Sequence, residues 1–387
     1  MDNAPSFRIA HSLAAEARQA AREFHAGVSQ PEMALVIFFC SSEYDLEALA
    51  DELNRLFGDT PLIGCTAAGE LGPGGYRGHS LSGVSFPAAN CTVACDCLPL
   101  LQAFTPAQGQ VFAQNLLQGL EKAAPATAPA NTFAFLLIDG LSVREEPVVH
   151  ALHAALGDIP LCGGSASDGF AFSRTWIFHA GRFHSDAALL LLVSTPLPFR
   201  IFMTQHFIAG NERLVVTAAD AGRRTVQEIN GRPAAAEYAR VLGLTVAELN
   251  PAVFSRNPVV ILINGTHYVR SIQQVAADGS LVFYCAIEEG LVLRVARSGD
   301  LLANLEQAFT HIREEIGPPQ LTLGCDCILR QLEITENRLA GRVGTLLNEN
   351  RTVGFNTYGE QYGGVHVNQT FTGISIGTPI PPPSSDA

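Results

Sequence analysis

The stretch Ala34-Leu-Val-Ile-Phe-Phe-Cys40 is a continuous apolar run, and a helical pattern follows it over residues 45–57. The segment Gly58-Asp-Thr-Pro-Leu-Ile-Gly-Cys-Thr-Ala-Ala-Gly69 then closes the unit with small residues. An uninterrupted apolar run of this length, bounded by turn residues, is typical of a buried strand. The stretch therefore predicts a β-α-β unit.

The same order returns 99 residues later, where Gly157 takes the place of Gly58. Its strand covers residues 133–138, its helix residues 145–156 and its closing loop residues 157–168. We therefore expect two related, superimposable β-α-β units. The predicted fold class is α/β to mixed α+β, with the two tandem units in the N-terminal part packed against an α+β C-terminal part.

Each unit ends in a run of Gly, Ala, Ser and Thr, where the missing side chains let backbone amides approach a ligand closely. Neither run matches the G-x-G-x-x-G fingerprint. Tight turns that pack the two repeats against each other are the alternative, and the sequence leaves both open. The candidate ligand-lining residues are Gly64, Cys65, Thr66, Gly163, Gly164 and Ser165.

The remaining sequence suggests four parts: an N-terminal helix within residues 1–30, an N-terminal domain at 31–222, a C-terminal domain at 223–377 and a disordered Pro-rich tail at 378–387. The N-terminal domain holds the internal repeat at 34–70 and 133–169. In the C-terminal domain we expect short helices at 225–229 and 234–241. A longer helix at 301–315 should end at Gly317-Pro318-Pro319, because proline cannot continue it.

Charge and targeting features exclude several classes of partner and enzyme. With 24 basic against 37 acidic residues, the formal net charge is −13, which disfavours a nucleic acid or an anionic membrane as partner. The single lysine, Lys122, lies in no motif, so a P-loop, a Schiff-base enzyme and a protein kinase are excluded. No apolar stretch is long enough to span a bilayer and no signal peptide is visible, so we expect a cytoplasmic protein.

The order of several short motifs resembles the FIST domains, a bacterial sensory family with an N-terminal and a C-terminal part. The resemblance runs from about residue 30 to residue 377. The motifs are Pro61-Leu-Ile-Gly-Cys-Thr-Ala-Ala-Gly-Glu70 and its echo Cys162-Gly-Gly-Ser-Ala-Ser-Asp-Gly169, Glu228-Ile-Asn-Gly-Arg-Pro-Ala234, Tyr268-Val-Arg-Ser-Ile272, Cys325-Asp-Cys-Ile-Leu-Arg330, Val353-Gly-Phe-Asn-Thr-Tyr-Gly-Glu360 and His366-Val-Asn-Gln-Thr370.

The resemblance implies a sensor of small ligands that performs no catalysis. The family includes stand-alone proteins that bind haem, respond to nitric oxide and regulate a separate histidine kinase. By that resemblance we expect a haem-binding, nitric-oxide-responsive protein that acts on a histidine kinase or another signalling protein. A sensor of a metabolite such as an amino acid is the alternative within the same class, and a homo-oligomer is left open.

Two histidines are candidate axial ligands for a haem iron. His206 lies in the aromatic-rich segment Phe202-Met-Thr-Gln-His-Phe207, and His366 opens the last strand beside Gly363-Gly364. Aromatic and glycine neighbours would supply the apolar walls and the space that a macrocycle requires. A structural role for each histidine is the alternative.

Arg270, Arg330 and Tyr358 are polar groups inside or at the ends of apolar strands, and they complete the predicted cofactor site. An arginine can hold a carboxylate, such as a haem propionate or an amino-acid ligand, in a bidentate pair. The alternative is an internal ion pair, for example between Arg330 and Glu360.

Two Cys-Asp-Cys triplets raise a further possibility, because alternate strand residues place both sulfurs on one face. They are Cys95-Asp-Cys97 and Cys325-Asp-Cys327. Cys325 and Cys327 are candidates for a metal site or a redox pair, and buried reduced thiols are the alternative. A cysteine-dependent oxidoreductase is therefore the third functional hypothesis. No nucleophile elbow or H-E-x-x-H motif is present, so we expect no enzyme.

Overall fold

The chain passes through a similar order of elements three times, with two helices in place of one after the central strand of the third repeat, in a computed structural model that describes residues 6–263 and 265–378. The first repeat contains β1 (Arg8–Ser12), α1 (Ala17–Val28), β2 (Met33–Ser41), α2 (Leu46–Phe57), β3 (Leu62–Ala67), β4 (Glu70–Gly72), β5 (Gly75–Arg77) and β6 (Leu81–Pro87). The second contains β7 (Thr92–Pro99), α3 (Pro106–Ala123), β8 (Thr132–Ile138), α4 (Glu145–Leu156), β9 (Leu161–Ser165), β10 (Ile177–His179), β11 (Arg182–His184) and β12 (Ala187–Ser194).

The third repeat is interrupted by a long insertion after its first strand, β13 (Phe199–Thr204). The insertion contains β14 (Phe207–Asp220), β15 (Thr225–Ile229), β16 (Arg232–Pro233), α5 (Ala234–Leu242), α6 (Pro251–Arg256), β17 (Val259–Ile263), β18 (Thr266–Arg270), β19 (Ile272–Val275), β20 (Leu281–Phe283) and β21 (Val292–Ser298). The repeat resumes with α7 (Leu301–Ile316), β22 (Leu321–Cys327), α8 (Ile328–Glu336), α9 (Ala340–Glu349), β23 (Thr352–Thr357), β24 (Glu360–Tyr362), β25 (Val365–Val367) and β26 (Phe371–Ile376).

Strand registers show that the three repeats are equivalent. In each, one central-strand residue pairs in parallel with the third strand and antiparallel with the closing strand. The matching sets are Phe38 with Gly64 and Gly83, Leu136 with Gly163 and Leu190, and Gly324 with Gly354 and Gly373. The two β-α-β units expected from the sequence are therefore confirmed, and a third unit, which the sequence analysis missed, joins them.

Each repeat gives its hairpin to a neighbouring sheet. The hairpin β4–β5 of the first repeat pairs with β23 of the third, β10–β11 of the second pairs with β3 of the first, and β24–β25 of the third pairs with β9 of the second. This exchange produces three six-stranded sheets in the described residues. Because each of these three sheets contains strands from two repeats, the repeats cannot separate as independent domains. The domain boundary at residues 222 and 223 stays a prediction.

The central strands are buried on both faces, which explains their continuous apolar sequence. On the inner side, the three sheets share one core, in which Phe39 of β2 and Phe355 of β23 stack with ring centroids 4.5 Å apart. On the outer side, paired helices cover each sheet. The side chain of Asp300 caps α7 by accepting from the backbone of Ala303, and the helix ends at Gly317 as the proline pair predicts.

The insertion forms an eight-stranded sheet with a core of its own. The helix predicted at 225–229 is wrong, since these residues form β15, which pairs with β14. Val226 and Ile229 are buried with two exposed residues between them, a spacing that imitates a helix. Register shifts in the pairing with β14 account for that spacing, because a bulge breaks the alternation of faces. The predicted tail from residue 379 onward lies outside the described residues.

None of the helices in the described part of the chain is long and apolar enough to cross a membrane.

Candidate functional site

The closing loops of the three repeats meet at the carboxyl ends of the parallel strands. The backbone N–H of Ser167 donates to the carbonyl of Thr66 at 3.1 Å, and the N–H of Tyr358 donates to the carbonyl of Ser165 at 3.3 Å. The hydroxyl of Ser167 donates to the carbonyl of Asn356. The backbone N–H of Asn356 donates to the carbonyl of Gly69 at 2.8 Å, so each repeat is tied to the other two at this junction. In α/β proteins the carboxyl edge of parallel strands is the usual place for a ligand.

Arg330 and Asp326 form a fully buried pair beside the junction. Since β22 passes into α8 without a loop, Asp326 lies near the end of the strand and Arg330 in the first turn of the helix. Nε of Arg330 lies 2.8 Å from Oδ1 of Asp326, and neither side chain is exposed. Burial raises the pKa of Asp326, and the charge of Arg330 opposes this shift.

Nη1 and Nη2 of Arg330 have no hydrogen-bond partner among the described residues, and Nε is likewise without one, since its 2.8 Å contact with Asp326 is an ion pair that lacks hydrogen-bond geometry. A buried donor without a partner carries a desolvation penalty of ~1–3 kcal/mol, more for a charged group. Arg330 therefore offers two donors that a bound acceptor would satisfy.

Three other residues join this pair, and we refer to Gly69, Tyr76, Asp326, Arg330 and Asn356 as the Arg330 cluster. The hydroxyl of Tyr76 donates to Oδ2 of Asp326, although the two residues are 250 positions apart. Asn356 pairs with Asp326 across β22 and β23, and its Nδ2 donates to the carbonyl of Asp326 at 3.3 Å. Its Oδ1 has no partner in the described part of the chain. The cluster thus presents donors and an acceptor together.

Gly69 is where the backbone comes closest to this group. A Cβ atom placed on Gly69 would lie 2.8 Å from Oδ1 of Asn356, so a side chain here would displace the amide. The backbone N–H of Asn356 also donates to the carbonyl of Gly69 at 2.8 Å. Glycine at this position therefore leaves room for the Asn356 amide where it lies.

A surface cavity of about 570 Å³ borders the cluster. It lies between the hairpin β4–β5 and α9, and Tyr76 lines it. Burial raises the pKa of the Tyr76 hydroxyl, and the carboxylate of Asp326 adds to the shift. Tyr76 consequently links the cavity, which it lines, to the buried pair, which its hydroxyl contacts.

Two buried glutamates hold equivalent positions in the first and third repeats. Oε2 of Glu70 accepts from the backbone and hydroxyl of Ser80 at 3.2 and 2.6 Å. Oε2 of Glu360 accepts from the backbone and hydroxyl of Thr370 at 3.1 and 2.7 Å. Burial raises the pKa of each carboxyl to about 8. Both groups therefore keep a proton at neutral pH.

His206 is buried against the helix that carries Arg330. Its Nε2 lies 3.0 Å from Oε2 of Glu333, which is one turn beyond Arg330 on α8. Its ring centroid lies 4.2 Å from that of Phe207. Burial lowers the pKa of His206, and the contact with Glu333 opposes that shift. His206 thereby connects the end of β13 to α8.

His366 and Arg270 lie together at a different place, between the insertion and the repeats. Nη1 of Arg270 donates to the carbonyl of His366 at 3.3 Å, and Nδ1 of His366 lies 3.2 Å from Nε2 of Gln361. Burial lowers the pKa of His366 to about 4. A Cβ on Gly359 would lie 2.3 Å from the His366 ring, which shows how tightly that ring is packed.

Both candidate axial histidines are packed into the protein in this arrangement, and their role as haem ligands stays a prediction. They occupy separate surroundings and are 6% and 1% exposed, for His206 and His366 respectively. A macrocycle needs an open apolar pocket beside its ligand, whereas the rings pack against Phe207 and Gly359. In residues 6–263 and 265–378, no group of three or more His, Cys, Asp or Glu side chains is arranged to hold a metal ion.

Tyr358 connects a loop of the second repeat to the third repeat. Its hydroxyl donates to Oδ1 of Asp168 and lies 2.6 Å from the carbonyl of Gly169. Its ring stacks on Phe172 with centroids 5.1 Å apart, and Tyr284 of the insertion lies 5.9 Å away. Tyr358 therefore joins two repeats and the insertion, and it is not part of the Arg330 cluster.

The glycines proposed to line a ligand lie inside strands. A Cβ on Gly64 would lie 2.3 Å from the carbonyl oxygen of Phe38, and a Cβ on Gly163 2.0 Å from that of Leu136. A Cβ on Gly164 would contact Sγ of Cys325 at 2.9 Å. These positions thus need glycine for close packing between strands, and their ligand-lining role stays a prediction.

The other three residues of these runs are also enclosed. Cys65 lies in the shared core. The hydroxyl of Thr66 accepts from the backbone of Trp176 at 3.0 Å, and that of Ser165 accepts from Nε2 of Gln361 at 3.0 Å.

The cysteines of both triplets are thiols in this environment. Cys325 and Cys327 are buried in β22, and burial raises the pKa of both well above the usual value. Cys95 and Cys97 lie on β7 of another sheet, with pKa values raised to about 11, again by burial. Since the thiolate is the nucleophile and the metal ligand, these surroundings disfavour both chemistries.

Sequence reasoning named Arg330 but missed the residues around it. Asp326 was not predicted as a site residue, because the pattern around it indicated a role for the flanking cysteines. Tyr76 and Gly69 lie in the first repeat, and nothing local connects them to Arg330. One signal was present: Gly69-Glu70 and Gly359-Glu360 recur 290 residues apart.

Residues 34–232 match the FIST N domain, and residues 234–363 match the FIST C domain. The chain therefore belongs to the FIST family, whose domains are small-ligand-binding sensory domains of signalling proteins.

No curated protein matches the chain. Among solved structures, a cyanuric acid hydrolase from A. caulinodans is similar at 12% identity and a TM-score of 0.29, over 52% of this chain and 72% of that one. A second cyanuric acid hydrolase structure is similar at 9% identity and a TM-score of 0.32, over 76% of this chain and 100% of that one.

Proposed function

We propose that this protein senses a small molecule that carries a carboxylate, such as an amino acid, and binds it at the Arg330 cluster. The observation that carries the proposal is the buried guanidinium whose Nη1 and Nη2 have no partner in the described residues. A carboxylate satisfies two such nitrogens at once in a bidentate pair, which a buried lysine cannot reproduce.

The acceptor in the Arg330 cluster suits a ligand that also donates hydrogen bonds. Oδ1 of Asn356 is buried and lacks a partner in the part of the chain that the structure describes. An amino or hydroxyl group next to the carboxylate would satisfy such an acceptor. The cavity that Tyr76 lines is the proposed entrance, opened when the Tyr76 hydroxyl leaves Asp326.

We propose that the ligand-bound chain acts on a separate protein, a histidine kinase or another signalling partner. The chain itself performs no catalysis in this proposal. A ligand that binds Arg330 perturbs α8, and Glu333 on the same helix passes the change to His206. The ligand can redirect a partner only if it binds the partner-competent and incompetent forms with different affinity. Coupling of ~1–3 kcal/mol is the usual range for such linkage.

Haem binding with a nitric oxide response is the second hypothesis, and it rests on the family resemblance. It would require His206 or His366 to leave its packed surroundings. A visible spectrum of protein purified with added haem tests it. A Soret band that both the His206→Ala and the His366→Ala variants retain would remove these histidines as axial ligands.

The carboxylate proposal is tested by thermal unfolding with a panel of amino acids and small carboxylic acids. We expect at least one to raise the melting temperature of the wild type, and the Arg330→Met variant to lose that shift. Arg342→Met is the matched control, since Arg342 is exposed on α9 and outside the cluster. A shift that survives in Arg330→Met, or no shift across the panel, contradicts the proposal.

A further inference from the structure

The largest of the surface cavities described, about 750 Å³, is a groove between β13 and α7. All residues from Arg200 to Gln205 line one side of it. Side chains of a strand alternate between faces, so a cavity lined by every consecutive residue must follow the edge of the strand. The opposite side contains α7 residues that include Asn304, Ala308 and His311, and Tyr362 of β24 also lines the groove.

Within residues 6–263 and 265–378, β13 is the last strand of its sheet and pairs with β26 alone. In an antiparallel pair, alternate residues direct their N–H and C=O groups away from the partner strand. The N–H and C=O groups of β13 that point away from β26 therefore face the groove. An open edge of this kind is a template for another extended segment.

Two side-chain atoms in the groove strengthen this inference. Oγ1 of Thr204 and Oδ1 of Asn304 are both buried and have no hydrogen-bond partner among the described residues. Thr204 is only 5% exposed, and both residues line the groove. An occupant that supplies hydrogen bonds would satisfy them, whereas a purely apolar occupant would not.

The charges of the groove favour one class of occupant. Nε of Arg200 lies 3.2 Å from Oε2 of Glu315, and Nε2 of His311 lies 2.9 Å from the other oxygen of the same carboxylate. Glu314 adds a second acidic group to the rim. With a formal net charge of −13, a second copy of this chain would be repelled. A segment with basic ends would be attracted.

We propose that this groove, which we name the β13–α7 groove, receives an extended segment with basic ends from another protein, added to β13 as a further strand. Strand addition of this kind uses main-chain hydrogen bonds for affinity and side-chain pockets for specificity. The groove ends at Gln205, directly before His206, which contacts the helix of Arg330. The proposal goes beyond the sensor function, because the segment can bind whether or not Arg330 holds a ligand.

The test uses the full chain and a fluorescent peptide, acetyl-Lys-Val-Thr-Val-Thr-Val-Lys-amide. We expect saturable binding by anisotropy, with slower hydrogen exchange at residues 199–205. A peptide N-methylated at alternate residues should bind at least about tenfold more weakly, because it cannot complete the strand ladder. Equal binding of the two peptides would overturn the proposal, as would no binding of either at millimolar concentration.

Two matched variants locate the peptide. Ala308→Phe fills the groove from α7 and should weaken binding at least about tenfold. Ala107→Phe adds the same ring to an exposed position on α3, the equivalent helix of the second repeat, and should leave binding unchanged. Unaltered binding by Ala308→Phe would overturn the proposal, and hydrogen exchange confirms that each variant is folded.

Discussion

Nε of Arg330 lies 2.8 Å from Oδ1 of Asp326, and both side chains are fully buried. Removing one member of a buried pair leaves the other charge without compensation, whereas removing both does not. The losses in the free energy of unfolding for the Arg330 variant, the Asp326 variant and the double variant should therefore not be additive.

For Arg330→Met we expect a loss of about 3–5 kcal/mol in the free energy of unfolding, because Asp326 is left buried and unpaired. The double variant Arg330→Met with Asp326→Asn should recover most of that loss. Urea unfolding of Arg330→Met, Asp326→Asn and the double variant measures these changes in the free energy of unfolding. If the double variant loses as much as the sum of the singles, the pair is not coupled.

The pH dependence of stability should reflect the buried glutamates. The pKa of Glu360 is raised from 4.5 to about 8, so between these values the folded state binds the proton more tightly than the unfolded state does. The stability from this proton is complete below about pH 4.5 and is lost as the pH rises through about 8.

Glu360→Gln should consequently flatten the decline of stability across this range, whatever its effect at pH 5. Glu349→Gln, an exposed site on α9, is the control and should keep the wild-type slope. Urea unfolding at several pH values measures the slopes. A variant slope equal to that of the wild type would show that Glu360 does not bind the proton.

Gly69→Ala should separate ligand binding from folding. The added Cβ would lie 2.8 Å from Oδ1 of Asn356, so the amide must move and its position in the cluster is lost. Gly78→Ala is the control, because a Cβ on Gly78 has no atom within 4 Å. We expect the first variant to lose the ligand-induced rise in melting temperature and the second to keep it. Equal shifts in both variants would exclude Gly69 from the site.

Arg224 should hold the insertion on the repeats. Its Nη2 lies 2.5 Å from carboxylate oxygens of both Glu145 and Glu146 on α4, and its Nη1 donates to the carbonyl of Tyr284 at 2.6 Å. Arg224→Met leaves the buried carboxylate of Glu145 and the partly buried carboxylate of Glu146 without their cation, so the insertion should exchange its amide hydrogens faster than the repeats do.

The neighbouring Arg223→Met provides the control, since the Arg223 side chain is 85% exposed. Hydrogen-exchange mass spectrometry compares residues 207–298 with the repeats in both variants. Uniform exchange rates in Arg224→Met would mean that this contact does not control the insertion.

The fold was predictable where it depends on local pattern. The 99-residue recurrence identified two repeats because their strands and helices keep the same spacing from Gly58 and Gly157. The third repeat was not predicted, because the insertion separates β13 from α7. Few residues of the third repeat are also identical to those at equivalent positions in the first, and Gly354, at the position of Gly64, is one of them. Exchange of hairpins between repeats has no local signature at all.

The candidate site was predictable only in part, for a similar reason. Arg330 stood out as a charge at the end of an apolar strand, and the sequence suggested Glu360 as its partner. The partner is Asp326, because α8 begins directly after β22 and brings Arg330 back onto the strand. Tyr76 reaches the pair from 250 residues away, through a hairpin that crosses between repeats. Contacts of that range depend on topology, which the sequence pattern did not reveal.

The most direct measurement is calorimetric titration of the wild type with the best carboxylate from the thermal panel and with its carboxamide analogue. The analogue has nearly the same shape but carries no charge for Arg330 to bind. We predict that the carboxylate binds and the carboxamide binds at least about 100-fold more weakly, and that Arg330→Lys loses most of this preference. Equal affinity for the two compounds, or a preference that Arg330→Lys leaves unchanged, would contradict the account.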